Sequence, residues 1–288
     1  MATNYNHIAY SKSADGKEEF SMLYPKINLE QHTEMLVDDS DKLLYGGKGP
    51  ATATMTHENI SIPGLPTVKN AVHITQTTKG QSGWSSRKAH SFPVVAGEEY
   101  MFSAYVKNNR TDTLSIGIYC GATADFNGGN PKYFSTFQDV EPSNNFVLIT
   151  QVISIPEGYN YAWSYIYTNS TTVNADYEFC GYKVEKGTMA TPWMPHESEV
   201  TSQDYPTYIG TYTDENQNSS TDPADYTWEM MNYRIYLDGI AVAGSKLLSA
   251  KVEDLKPDTS YTIQVKQVSV EEESDFSDSV TFKTNVQK

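Results

Sequence analysis

Tyr100-Met-Phe-Ser-Ala-Tyr-Val106 decides the fold class. Tyr100, Phe102, Ala104 and Val106 fall on one side and Met101, Ser103 and Tyr105 on the other, the two-residue period of a strand. Downstream, Leu114, Ile116, Ile118 and Cys120 alternate with Ser115, Gly117 and Tyr119. Val147–Ile155 is a β-branched run. Tyr161, Trp163, Tyr165 and Tyr167 then alternate with Ala162, Ser164 and Ile166, and Tyr177–Val184 follows. Pro63-Gly64, Asn127-Gly128-Gly129, Pro156-Glu157-Gly158 and Lys186-Gly187 punctuate these runs at the spacing of an all-β sandwich. No long segment keeps a 3.6-residue apolar period, and only Leu29–Tyr45 suggests a helical turn or two.

The 288 residues suit about two domains. Residues 1–27 read as a short polar leader and 28–198 as a run of strands long enough for a jelly-roll sandwich. Residues 199–232 form a polar linker with Ile209, Tyr226 and Trp228 as core candidates, and 233–288 a small second β domain. With 21 basic against 36 acidic residues, the net charge is −15. That balance excludes a nucleic-acid partner, which needs Lys and Arg to displace counterions, and disfavours anionic lipid. No apolar run is long enough to cross a membrane, so no membrane insertion is expected. Met1–Ala14 lacks the basic-then-apolar pattern of a signal peptide, which predicts folding in the cytoplasm of the producing cell. Cys120 and Cys180 sit in apolar strand runs and read as small buried thiols. The 21 Tyr against 10 Phe suit half-wet sheet faces and sugar-binding surfaces.

In the second domain, Tyr233-Arg-Ile-Tyr-Leu-Asp-Gly239 is a strand entering an Asp-Gly turn, and Ile240–Ala243 begins the return. Val252–Val265, with Leu255, Pro257 and Tyr261, resembles the tyrosine-corner segment of fibronectin type III domains. Ser274–Phe282 reads as the closing strand. A full seven-stranded sandwich needs about 100 residues. The module is therefore expected to lack its first strands, unless Tyr226-Thr-Trp228 or Tyr208–Tyr212 supplies them or another chain completes it.

Four further segments resemble structural proteins of the tails, baseplates and fibres of phages infecting Gram-positive bacteria. Tyr100–Lys107 resembles the "YTFSAYVK" strand of carbohydrate-binding jelly rolls of the family 4/9 type. Gly181–Trp193 resembles the "KLEKGS-ATPW" strand and exit that closes such modules. His7–Gly16 resembles the "HIAYANSADG" opening of those virion proteins. Tyr208–Asp214 with Ser220–Trp228 resembles their "YIGxYTD…STDPxxYTW" segment. The resemblance implies a virion structural protein without enzymatic activity, a jelly roll followed by a fibronectin-like module, and a homo-oligomer. Its implied partners are other virion proteins, held through residues 1–27 and the C-terminal module, and host cell-wall glycans. Related jelly rolls carry a structural Ca²⁺, for which Glu185 is the candidate ligand here. Trp193 and Trp228 take structural roles by the same resemblance.

A sugar site needs aromatic faces for the apolar side of a pyranose and polar groups for its hydroxyls. Trp163, Tyr165 and Tyr167, with Tyr161, would line one side of one strand and form the platform. Trp84 would flank it, Tyr105 and Tyr119 lie on outward faces, and Arg87, Gln81 and Asn109 are the polar partners. The other reading of the row is sandwich filling. Catalysis has no comparable signal: there is no paired-carboxylate motif, no HxxxH or HxH, no GxSxG and no phosphate-binding loop.

Overall fold

The computed structural model describes residues 3–31, 45–46, 53–76, 80–85, 91–123, 133–170, 176–253, 255–269 and 272–285. Among them the regular structure is β, with two single-turn 3-10 helices and no α-helix. The strands are β1 (Tyr5–Ser11), β2 (Tyr45–Gly46), β3 (Ala53–Asn59), β4 (Asn70–Gln76), β5 (Gly80–Ser85) and β6 (Phe92–Pro93). Next come β7 (Glu99–Asn108), β8 (Leu114–Gly121), β9 (Tyr133–Val140), β10 (Val147–Ser154), β11 (Tyr161–Ser170) and β12 (Asp176–Lys186). The last six are β13 (Tyr208–Asp214), β14 (Thr227–Met230), β15 (Tyr233–Leu237), β16 (Ile240–Ser245), β17 (Ser260–Gln267) and β18 (Val280–Lys283). Two compact units result: residues 27–63 with 67–199, and residues 1–26 with 64–66 and 200–288.

The larger unit is a sandwich of antiparallel sheets. One sheet has five strands in the order β10-β7-β12-β4-β3; the other has the order β2-β5-β11-β8-β9, with β6 also paired to β11. Their inner faces share one apolar core. Phe102, Ala104 and Val106 of β7, Leu114, Ile116 and Ile118 of β8, and Tyr177, Phe179 and Val184 of β12 all lie within it. Each large side chain so enclosed contributes about 1.5–3 kcal/mol. The alternation of residues 100–106 and 114–120 places the same residues inward that the sequence does. The five strand runs named from the sequence appear as β7, β8, β10, β11 and β12; β3, β4, β5 and β9 were not foreseen. The helical turn expected within Leu29–Tyr45 falls largely outside the described residues.

Buried polar groups stitch the sandwich end. Asn28 donates to the Tyr182 carbonyl (3.0 Å) and accepts from Val184 N (2.9 Å). β5 pairs with Tyr165–Ser170 of β11, and β6 pairs with Tyr161–Ala162. Between those two stretches the buried Glu30 carboxylate accepts from Ser164 N (3.3 Å) and Oγ (2.5 Å). β12 shifts register between Cys180 and Lys183, and Gly181 adopts φ 54 there, a left-handed conformation that favours glycine.

The smaller unit holds the sheets β1-β13-β14 and β16-β15-β17-β18. β1 pairs with β13 along its whole length, from Tyr5↔Asp214 to Ser11↔Tyr208. The leader therefore pairs with a strand of its own chain. Within the expected linker, Tyr208–Asp214 and Thr227–Met230 are likewise strands, with Ile209 and Tyr226 buried. Trp228 donates to the Pro223 carbonyl (2.8 Å) and lies so close to Gly210 that a Cβ there would meet it at 2.9 Å. β13 pairs with β1 and β14 pairs with β13, so neither supplies a missing strand of the fibronectin-like sheet.

In that four-stranded sheet, Asp238 and Gly239 link β15 to β16 with φ 49 and 87, the two-residue turn that the Asp-Gly signal predicts. Lys256 N donates to the Tyr261 hydroxyl (2.9 Å), completing the tyrosine corner. The closing strand is shorter than expected, with only Val280–Lys283 regular. Ser274 and Ser277 still donate from their backbones to Gln267 and Val265, so the preceding turn remains tied to β17.

Candidate binding face

The aromatic row of β11 sits on the face of its sheet turned away from the apolar core. Ala162 and Ile166 belong to that core, so Tyr161, Trp163 and Tyr165 alternate outward. On β8 the outward residues are Ser115, Gly117, Tyr119 and Gly121, opposite the inward Leu114, Ile116, Ile118 and Cys120. Register sets Tyr119 beside Trp163 and Gly117 beside Tyr165 on one flank, and Ser135 and Phe137 on the other.

These positions build a continuous aromatic cluster. Tyr119 stacks on Trp163 at 5.9 Å and 10° between planes, and meets Tyr165 edge-on at 5.1 Å. Phe137 contacts Tyr119 at 5.2 Å and Tyr165 at 6.2 Å, both edge-on. Two glycines make room for the rings. A Cβ at Gly121 would lie 3.1 Å from Trp163, and one at Gly117 would lie 2.0 Å from the Thr136 carbonyl. Beyond the rings, Ser115 Oγ donates to Asp139 Oδ1 (2.9 Å), giving the face an exposed polar end. Stacked and edge-on rings with a flanking carboxylate can hold the C–H face of a sugar and orient a hydroxyl.

The residues named from the sequence distribute unevenly about this face. Tyr119 and Tyr165 are half-buried members of it, and Tyr161 lies at its end. Trp163 belongs to the cluster but is only 2% exposed, so it supports the neighbouring rings rather than offering a surface. Trp84 pairs through its backbone with Ile166 and Gly46. Gln81 pairs through its backbone with Asn169. The side chains of Trp84, Gln81 and Tyr167 lie outside the described residues, as does the whole of Arg87.

Tyr105 does not join the cluster. It is on β7 of the five-stranded sheet, against Val68 near Gly181. Asn109 is on that sheet's side too, donating to Asp176 and Glu178. Glu185 is 1% exposed and engaged by its own chain: Thr191 N donates to Oε1 (2.7 Å), Thr191 Oγ1 to Oε2 (2.6 Å), and Lys183 Nζ lies 3.3 Å from Oε2. Donors of its own chain thus take both of its oxygens, so the carboxylate does not offer the open oxygen that a Ca²⁺ needs. Phe137 and Asp139 were missed, because Tyr133–Val140 mixes polar residues on both faces and shows no apolar alternation.

Residues 206–264 match the family model described as the C-terminal domain of minor structural protein 5-like proteins, of BppU type. No curated protein matches the chain. Among solved structures, the tripod (BppUct-A-L) from the baseplate of bacteriophage Tuc2009 aligns over 100% of both chains, with 28% identity and a TM-score of 0.67. The enzymatically active domain of bacteriophage CBA120 tailspike protein 4 aligns over 50% of this chain and 19% of that one, with 16% identity and a TM-score of 0.39. The CBM22-1 xylan-binding domain of Paenibacillus barcinonensis Xyn10C aligns over 58% of this chain and 99% of that one, with 16% identity and a TM-score of 0.37. The last two likenesses carry no functional weight. The all-β fold, the family match and the baseplate relative define a class, the structural proteins of phage tails and baseplates. Residues 206–264 thus carry a BppU-like C-terminal domain, and over its whole length the chain is similar to a structural protein of a phage baseplate.

Proposed function

We propose that this virion protein is a non-enzymatic adhesin module that presents the outer face of its jelly roll to glycans of the host cell surface. The supporting observation is the cluster of Tyr119, Phe137, Trp163 and Tyr165 on the side away from the core, with glycines at the intervening positions. Core filling needs no aromatic rings on that face. A single shallow site of this kind binds weakly, and several copies in one assembly raise avidity by about 10²–10⁴-fold. The description of the structural relative as a baseplate tripod supports a multi-chain assembly with other virion proteins.

A purely architectural role is the second reading, favoured by the near-complete burial of Trp163. Cell-wall pulldown and glycan arrays with the assembled protein separate the two. Adhesion predicts retention that falls at least tenfold in Tyr165→Ala and Tyr119→Ala, with far-UV circular dichroism unchanged. Absence of binding by the wild-type assembly rejects adhesion and leaves the architectural role. Release of reducing sugar from cell walls would reject the non-enzymatic reading.

A further inference from the structure

The outer face of the five-stranded sheet carries a separate cluster of ligating groups. Val72 and Ile74 point into the core, which turns His73 of β4 outward. Tyr177 and Phe179 do the same for Glu178 on β12. His73 lies between carboxylates from the two flanking strands: Nδ1 is 2.6 Å from Glu58 Oε1 on β3, and Nε2 is 2.9 Å from Asp176 Oδ1 on β12. Glu178 stands directly across from His73 in the β4–β12 register. One ligating atom each from Glu58, His73 and Glu178 lies within 4.8 Å of the other two.

The Glu178 side chain is only 5% exposed. Lys107 Nζ (2.6 Å) and Asn109 Nδ2 (3.2 Å) both contact its Oε1, and no described residue hydrogen-bonds to its Oε2. Asn109 also donates to Asp176 Oδ1 (3.0 Å). Three carboxylates thus converge on one imidazole and one ammonium, leaving negative charge in excess on a partly buried surface. A cation is favoured at this position.

We propose that the cluster is a binding site for a divalent transition cation of the Zn²⁺ type, with one ring nitrogen of His73 and carboxylate oxygens of Glu58 and Glu178 as ligands. Mixed imidazole and carboxylate donors suit zinc, whereas calcium and magnesium take oxygen ligands. Ligand atoms around tetrahedral zinc lie about 3.4 Å apart, so rotations of about 1 Å close the set. Asp176 would hold the second ring nitrogen, the carboxylate–histidine–metal arrangement that fixes tautomer and ring orientation. Three protein ligands leave one position for water. The three ligands come from adjacent strands, and β3 is the edge of its sheet. The metal would therefore pin that edge to β4 and β12.

Isothermal titration of the tag-free, chelator-treated full chain with zinc chloride alone is the test. One equivalent per chain is expected, lost in His73→Ala and weakened about 10–100-fold in Asp176→Asn. Zinc should also raise the unfolding temperature of the wild type but not of Glu58→Gln, a half-buried edge position that serves if His73→Ala fails to fold. Calcium chloride should give no saturable heat. Absence of saturable zinc binding at micromolar concentrations overturns the proposal, as does wild-type affinity in Glu58→Gln or equal binding of calcium.

Discussion

Arg234 donates from Nε to the Tyr24 hydroxyl at 3.0 Å, joining residues 210 apart in sequence within the smaller unit. Its Nη2 donates to the Pro206 carbonyl (3.0 Å), its Nη1 pairs with Glu273, and its guanidinium carbon lies 4.9 Å from the Tyr205 ring centroid. The side chain is 1% exposed. Glu273 in turn accepts from the Tyr236 hydroxyl (3.0 Å) and lies 3.4 Å from Lys266 Nζ. The leader, the segment before β13 and the fibronectin-like sheet therefore meet at one buried cation. A buried guanidinium is tolerated only where its donors are met, and the leader supplies part of that requirement.

Arg234→Ala should destabilise the smaller unit by about 3–5 kcal/mol, because it leaves the 7%-exposed Glu273 carboxylate without its main partner. Tyr24→Phe removes the acceptor of a buried charged donor and should cost about 1.5–3 kcal/mol. Urea unfolding followed by tryptophan fluorescence measures both. A loss below about 1 kcal/mol in Arg234→Ala would show that the ion pair is not holding the leader to the sheet.

Tyr261→Phe tests the corner before β17. Its hydroxyl accepts from Lys256 N, and deletion leaves that donor to solvent, so about 1 kcal/mol is expected. Amide exchange at Lys256 should rise in the variant while amides within β15 stay protected. Unchanged exchange at Lys256 would contradict the assignment.

The legible part of this fold is the part whose two strand faces differ in polarity. β7 and β8 could be read from residues 100–106 and 114–120 because apolar side chains recur at every second position. The Asp238-Gly239 turn was legible because few residue pairs accept two positive φ values. β3, β4 and β9 carry polar residues on both sides, as in Thr56, His73 and Gln138, and their strand character comes from neighbours remote in sequence. The pairing of β1 with β13 joins residues about two hundred positions apart, and no local pattern encodes it. The aromatic row was identified, but its orientation was not. Period-2 alternation gives two faces, and both faces of β11 carry large apolar residues. Only the positions of Ile116 and Ile118 across the sheet decide which one is inward.

Gly117→Ala should be strongly destabilising although the residue lies on the outward side of β8. An added Cβ would stand 2.0 Å from the Thr136 carbonyl and 2.9 Å from the Phe137 Cα, both backbone atoms of the adjoining strand. Neither can rotate away, so β8 and β9 must separate. Overpacking costs typically about 1–3 kcal/mol, and a backbone obstacle puts this site at the upper end. Gly158→Ala, with open space around its Cβ but φ 87, should cost about 1 kcal/mol from backbone strain alone. Thermal unfolding of the two variants side by side checks the order, and a smaller loss at Gly117 than at Gly158 would refute the crowding argument.

Alkaline pH should weaken the fold through groups that burial keeps protonated. Desolvation pushes the Cys120 thiol up to about 12 and the Tyr205 and Tyr226 phenols up to about 12. Burial also raises Cys180 and Tyr24 far above their ordinary values. The unfolded chain ionises at the ordinary values of 9.0 for thiols and 10.0 for phenols, so above those it holds fewer protons than the folded chain. The stabilisation is fully present below pH 9, declines as pH rises, and is gone above the folded pKa values. At pH 11, Tyr205 and Tyr226 each account for about 1 kcal/mol lost. Urea midpoints should hold steady up to pH 9 and fall between pH 10 and 12. Absorbance at 295 nm should show a set of tyrosines that ionise only with unfolding. Both cysteines should resist thiol reagents at pH 8 until denaturant is added, and rapid native-state labelling of either would place its sulfur outside the core.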